Sequence, residues 1–367
     1  MSASTHDQTH STLNVQAPST ALRMPAEWEA HSATWLAWPH NRSDWPGKFD
    51  AIPFVYVEIV RHLARGERVE LIVNNADAEE KARKLLVKAN VPLHNIRFHQ
   101  FPTNRGWTRD SGPIFVKDAE GKDLILNWRF NAWAKYDDWE LDDRLPELIA
   151  TDLGIPQHEP TTHVDGEPRR LVLEGGSIDV NGRGTMLTTA ECLLDCDTQA
   201  RNPGVSREQL ESVFESMLGV RKVIWLERGI VGDDTHGHVD DIARFVAPDT
   251  VVTAVERDPA DPNYGILQAN LEKLRSETDQ DGRPLRVIEL PMPAPVIFRK
   301  QRVPASYANF YIGNGRVLVP TFNDPNDRTA LNTLADLFPG RDIVPIYCGD
   351  LIWGLGAIHC MTQQQPA

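Results

Sequence analysis

The sequence predicts an α/β fold built as a propeller-like array of repeated β-β-α units, and two observations predict it. Strand–turn–strand segments alternate with helical patterns along the chain, whereas a parallel doubly wound sheet has no need of such hairpins. Short polar motifs around Asp110, Glu174 and His238 recur about every 64 residues, a period that marks stacked supersecondary units. Each motif stands at the edge of an apolar run, where a strand would end.

The elements follow in order. The first 20 residues are polar, without the basic start and apolar core of a secretory signal, and are expected to form a disordered tail. Residues 53–63 and 77–89 carry apolar side chains at three- and four-residue spacing and are expected as helices. Residues 112–116 and 124–128 are apolar runs joined by the turn 119–122, a hairpin. Residues 171–180 turn at Asn181-Gly182 into 185–188, a strong hairpin signal. A helix over 206–218 opens on a capping box, with the Ser206 hydroxyl and Gln209 three residues on. Helices over 263–275 and 327–338 flank a third hairpin, 310–312 into 317–319 across Gly313-Asn314-Gly315. No linker rich in Pro, Gly or Ser divides the chain, so residues 21–367 are expected to be one domain.

Composition removes several function classes. The 367 residues carry 52 acids against 38 Lys and Arg, a formal charge of −14, which disfavours nucleic acid and suits a cationic substrate. No apolar run approaches the roughly 18 residues of a membrane helix. Four cysteines in so long a chain are no disulfide framework, and a reducing cytoplasm is expected.

Candidate chemistry begins at the C-terminal tail, where Cys360 follows the glycine-rich approach Gly354-Leu355-Gly356. Such a thiol is either a small core residue or a nucleophile. The apolar runs at 343–346 and 351–355 suggest a packed tail, and the glycines leave room beside it for a flat substrate. In the stretch 232–241, Thr235-His236-Gly237-His238-Val239-Asp240 is first readable as a metal site. It lacks the further ligands zinc requires. Read as a strand, it would project His238 and Asp240 to one face with His236 beside them, an arrangement for a planar cation. Trp107-Thr108-Arg109-Asp110 is a surface turn or a site acid. Glu174-Gly175-Gly176 is a turn, or an acid with space left beside it. Cys192 and Cys196, without a second cysteine pair or a nearby histidine, are expected to be structural thiols. Most of the ten tryptophans are expected in the core.

Together the motifs TRDSGP, LEGGSIDVNGRGT, NPGVSREQLE, DDTHGHVDDIARF, ASYANFYIGNG and IHCMTQQQP resemble the agmatine deiminase family, from about Met24 to the C-terminus. The resemblance implies a five-bladed ββαβ propeller (pentein fold) with pseudo-fivefold symmetry. It further implies Cys360 as the nucleophile that forms an amidino-cysteine, His238 as the catalytic histidine and Glu174 as the acid holding it. Asp110 and Asp240 match the carboxylates that grip the guanidinium, and Asp234 a further substrate acid. Trp107 and Asp233 join Asp234 as candidates for the far end of the pocket. The chain departs from the family at His236, where Asn is frequent, at Ala357, where plant members have Asn, and in a shorter loop at 293–305.

The expected activity is hydrolysis of agmatine to N-carbamoylputrescine and ammonia, a step of polyamine synthesis, with no cofactor, no metal and no nucleic-acid or membrane partner. A homodimer is what the family suggests. Deimination of free or peptide-bound arginine, amidino transfer to an amine, and a binding module without catalysis are the competing readings.

Overall fold

The computed structural model describes residues 21–367, so the tail expected at 1–20 lies outside the described residues. Four three-stranded sheets repeat one pattern: a hairpin whose second strand pairs in parallel with a third, reached through a helix. The first pairs Ile114–Lys117 with Asp123–Leu126, then passes through helix Leu145–Leu153 to Gln157–His158. The second runs Asp179–Val180, Thr185–Thr189, helix Arg207–Leu218 and Lys222–Leu226. The third runs Ala243–Ala247, Thr250–Val255, helix Asn263–Ser276 and Arg286–Pro291. The fourth runs Tyr311–Gly313, Arg316–Thr321, helix Asn326–Leu337 and Asp342–Tyr347.

A fifth, four-stranded sheet joins the two ends of the chain. Strand Gln363–Pro366 pairs antiparallel with His31–Ala37, which pairs in parallel with Arg68–Val73, and that with Ile96–Gln100. The C-terminal strand therefore takes the place of a hairpin partner. It is buried, the tail is packed, and Cys360 stands three residues before it.

Local sequence accounts for these elements. Helix Ile52–Leu63 has Pro53 in its first turn and buries Tyr56, Ile59, Val60 and Leu63 on one face. The capping box at Ser206 forms as expected: its hydroxyl accepts from Gln209 N (3.3 Å) and the Gln209 side chain accepts from Ser206 N (2.9 Å). Helix Leu145–Leu153 was not anticipated. It is nine residues long with Pro146 at its start and Gly154 left-handed at its end, too short for a strong periodic signal. The strand expected over 171–180 forms only at Asp179–Val180, because a 3-10 turn at Gly175–Ser177 carries Glu174 inward.

Candidate active site

Each repeat presents a polar side chain just before its first strand. Asp110 precedes Ile114, Glu174 precedes Asp179, His238 and Asp240 precede Ala243, Asn309 precedes Tyr311, and Cys360 precedes Gln363. All six are buried. A pocket of about 420 Å³ reaches two of them, Asp110 and Cys360, and is lined further by Trp107, Trp133, Asp234 and Gly356 among others.

Two carboxylates and the thiol share the floor. Cys360 Sγ lies 3.8 Å from Asp240 Oδ2 and receives the Asn309 Nδ2–H at 3.1 Å. Asp110 accepts from the Trp133 indole (2.9 Å) and from Gly176 N (3.1 Å). His238 lies between acids, with Nδ1 3.8 Å from Asp110 and Nε2 3.8 Å from Glu174. Both ring nitrogens, Glu174 Oε2 and Asp240 Oδ1 have no hydrogen-bond partner, although they are buried. Such groups are costly to keep in a fold and are expected where a ligand completes them. A Cβ on Gly176 would stand 2.5 Å from His238 Nδ1 and 2.8 Å from Asp110 Oδ1, so only glycine fits there.

A second layer orients the floor. His359 faces Asp240 Oδ2 with Nδ1 and Glu27 Oε2 with Nε2, both at 2.7 Å. Glu27 in turn pairs with Arg244 (2.9 Å) and Arg109 (3.4 Å). Arg201 Nε donates to Glu174 Oε1 at 3.0 Å, which leaves Oε2 for His238. Glu27, Arg201, Asn309 and His359 were not anticipated from sequence. Asn309 and His359 carry a signal nonetheless, since they stand at the repeat's polar position or beside it.

Burial and like charge set the proton affinities. Burial raises the Cys360 thiol well above its ordinary value, and Asp240, Asp241 and Asp110 push the same way. Burial likewise raises Asp110 to about 6, with Asp240 and Glu174 adding to it against the His238 charge. For His238, burial disfavours the cation, but Asp110, Cys192 and Glu174 outweigh it and hold the imidazolium well above the usual histidine range. Burial opposes the Glu174 carboxylate too, yet Arg201 and His238 bring it down to about 2.

Several expectations need correction. Residues 239–241 form a 3-10 turn, not a strand, so His238 and Asp240 reach the site around a bend. His236, at φ 63°, turns away to Asp195 (2.8 Å), and the two histidines do not converge. Asp233 builds the loop: its carboxylate accepts from Thr235 N (2.8 Å), Gly237 N (2.7 Å) and His238 N (3.1 Å). Asp234 and Trp107 do line the pocket, Asp234 paired to Lys135 and Tyr136. Arg109 and Asp110 are buried and form no surface turn. Gly354 and Gly356 line the pocket, and a Cβ on either would meet Trp45 or Trp107 within 3 Å, so the glycines also admit close packing of the tail. Cys196 is exposed, but Cys192 lies buried with its sulfur, a Glu174 oxygen and a His238 nitrogen all within 4.8 Å of one another.

Comparison with known proteins follows this geometry. The model of the Porphyromonas-type peptidyl-arginine deiminase family matches residues 23–366. The agmatine deiminase of Pseudomonas syringae pv. syringae is 36% identical over 97% of this chain and 98% of that protein. The solved agmatine deiminase of Enterococcus faecalis superposes with a TM-score of 0.85 at 31% identity, covering 96% of this chain and 99% of that one. That of C. jejuni with substrate bound gives a TM-score of 0.83 at 28% identity, over 96% and 99% of the two chains.

Proposed function

Because the chain belongs to the Porphyromonas-type peptidyl-arginine deiminase family, we propose that it is an agmatine deiminase, a hydrolase of the guanidinium carbon–nitrogen bond. The observation that carries this reading is the Cys360 thiol 3.8 Å from the Asp240 carboxylate, on the floor of a pocket shared with Asp110. A guanidinium is a poor electrophile, and two carboxylates on its edges fix its plane and localise its charge. Bringing a cation to about 4 Å at an effective dielectric of about 20 is worth roughly 4 kcal/mol, or about three pKa units for the thiol. The substrate thus offsets the very carboxylates that keep Cys360 protonated, and the thiol proton leaves to solvent.

The thiolate then attacks the guanidinium carbon to form a neutral tetrahedral adduct. The His238 imidazolium, held by Glu174, donates a proton to the departing nitrogen, and ammonia leaves a thiouronium on Cys360. Water attacks that carbon and gives its proton to His238. The carbon–sulfur bond breaks, a second proton is lost, and the ureido product and the thiolate are released. Pocket chemistry favours agmatine over arginine. Arg105, the cationic side chain on the lining, already has its charge paired by Asp44 and Asp138, so it is a weak partner for an α-carboxylate.

The same reading makes residues 21–367 one five-bladed ββαβ propeller, supported by the repeated sheet order and by the pairing of the last strand with the first. A homodimer in a reducing cytoplasm, serving putrescine synthesis, completes it; the four free thiols fit that compartment. Ammonia release from agmatine, arginine and a blocked arginine peptide, assayed side by side, tests the substrate. Agmatine should exceed the other two by at least about 100-fold in kcat/KM, the scale set by an unmatched buried charge. Equal turnover of arginine would reject the assignment.

A further inference from the structure

We propose that Glu174, Cys192 and His238 form a binding site for zinc, and that its occupation reversibly arrests the enzyme. The site stands on geometry alone, whereas the arrest rests on the deiminase reading. Hydrolysis gives Glu174 and His238 their tasks but leaves Cys192 none.

The three ligand atoms are buried and lie within 4.8 Å of one another. Glu174 Oε2 and both His238 nitrogens have no hydrogen-bond partner, and Oε2 and Nε2 face each other at 3.8 Å with neither bonded elsewhere. Tetrahedral zinc, with bonds of about 2.0–2.3 Å, sets its ligand atoms about 3.3–3.8 Å apart. His238 Nε2 and Glu174 Oε2, at 3.8 Å, need to close by about 0.3–0.5 Å, and the sulfur by about 1.3 Å at most.

The surroundings are those of a supported metal site. Asp110 faces His238 Nδ1 on the side opposite Glu174, the carboxylate–histidine–metal order that fixes the ring and strengthens its donor nitrogen. Arg201 holds Glu174 Oε1 and so commits Oε2 to the ligand side. Thr189 ties the sulfur to the histidine: its hydroxyl accepts from Cys192 N (3.0 Å) and donates to the Gly237 carbonyl (2.6 Å). Helical turn Ala190–Leu194 is thereby fastened to the loop carrying His238. On binding, Cys192 and the His238 imidazolium each release a proton, one Zn–S, one Zn–N and one Zn–O bond form, and a fourth position remains for water. With Nε2 on the metal, His238 is a neutral imidazole that keeps only its Nδ1–H, a far weaker acid than the imidazolium that protonates departing ammonia.

Cobalt serves as the probe, because a cobalt–thiolate bond gives a charge-transfer band that oxygen and nitrogen ligands do not. The full-length protein should show that band and take up one zinc per chain in equilibrium dialysis. Variants C360A and C196A should keep the band, and C192A should lose it. C192S, which conserves volume, serves if C192A melts early. Zinc should inhibit the unaltered enzyme with recovery on EDTA, and the residual turnover of C192A should be about 10- to 100-fold less sensitive. Loss of the band in C360A with retention in C192A would move the metal to the nucleophile and overturn the proposal. So would failure of the unaltered chain to bind one zinc. Metal binding without any deiminase activity would uphold the site and reject only the function.

Discussion

The floor of the pocket and its mouth are built on different plans. On the floor, Asp110, Glu174, His238, Asp240 and Cys360 hang from equivalent places in the repeat, and several of their polar atoms have no partner. At the mouth, the charged groups are paired with one another, Asp44 with Arg105, Arg105 with Asp138, and Asp234 with Lys135 and Tyr136, although Asp44 Oδ2 and Arg105 Nε lack a hydrogen bond. These residues lie on connecting loops and short turns, outside the repeated strands. An unsatisfied, buried floor is poised to be completed by a substrate cation, whereas a charge-paired mouth selects by shape and by modest charge. Chemistry should therefore be fragile at the floor and tolerant at the mouth.

The largest effect belongs to Cys360. C360A should lower kcat by about 10⁴-fold or more while agmatine still binds, as removal of a covalent nucleophile does elsewhere. Near-normal turnover would break the scheme outright. Next comes Asp110. Its carboxyl, raised to about 6 in the free protein, is neutral below that pH and cannot grip a cation. The value of kcat/KM for agmatine should accordingly fall as pH drops through about 6 and be flat just above it. D110N should remove that limb and cost about 2–5 kcal/mol, some 30- to 4000-fold in kcat/KM. An unchanged pH profile in D110N would assign the limb to another group.

His359 tests whether the floor depends on its second layer. Burial disfavours the Asp240 carboxylate, and the His359 hydrogen bond and charge bring it below the ordinary value. H359Q removes the charge, so the Asp240 carboxyl should titrate higher and the acid limb of kcat/KM should move up in pH. KM for agmatine should rise about 10- to 100-fold, as loss of an orienting partner does at comparable sites, with kcat less affected. A uniform loss of activity at all pH values would mark His359 as structural only.

The same division explains what was legible in the sequence. Hairpins at Asn181-Gly182 and Gly313-Asn314-Gly315 announce themselves through turn chemistry, and five helices through their apolar spacing. The repeat marks each floor acid by placing it at the edge of an apolar run, and the family resemblance supplies its role. Helix Leu145–Leu153 escaped because nine residues give little periodicity. The bend at 239–241 escaped because His238 and Asp240 alternate as a strand would and lead into the apolar run 242–246, although tertiary packing folds 239–241 into a turn. Glu27, Arg201 and the sulfur of Cys192 were invisible for another reason: their partners lie far along the chain, and only folding joins them.

The smallest effect belongs to the mouth, and it sharpens the comparison most. Asp234 is a candidate for the distal ammonium of agmatine, but Lys135 and the Tyr136 hydroxyl already occupy its two oxygens. A substrate ammonium arriving there exchanges one partner for another in a partly solvated place, and such pairs are worth about 0.2–1 kcal/mol. D234N should raise KM for agmatine by only about two- to fivefold and leave kcat unchanged. K135A should act in the opposite direction, freeing the carboxylate and lowering KM by a similar factor. The two together form a cycle: if Asp234 serves the substrate, K135A gains nothing once D234N is present. A loss above about 100-fold in D234N would mean that the mouth carries an unsatisfied charge like the floor, and the division between the two regions would fall.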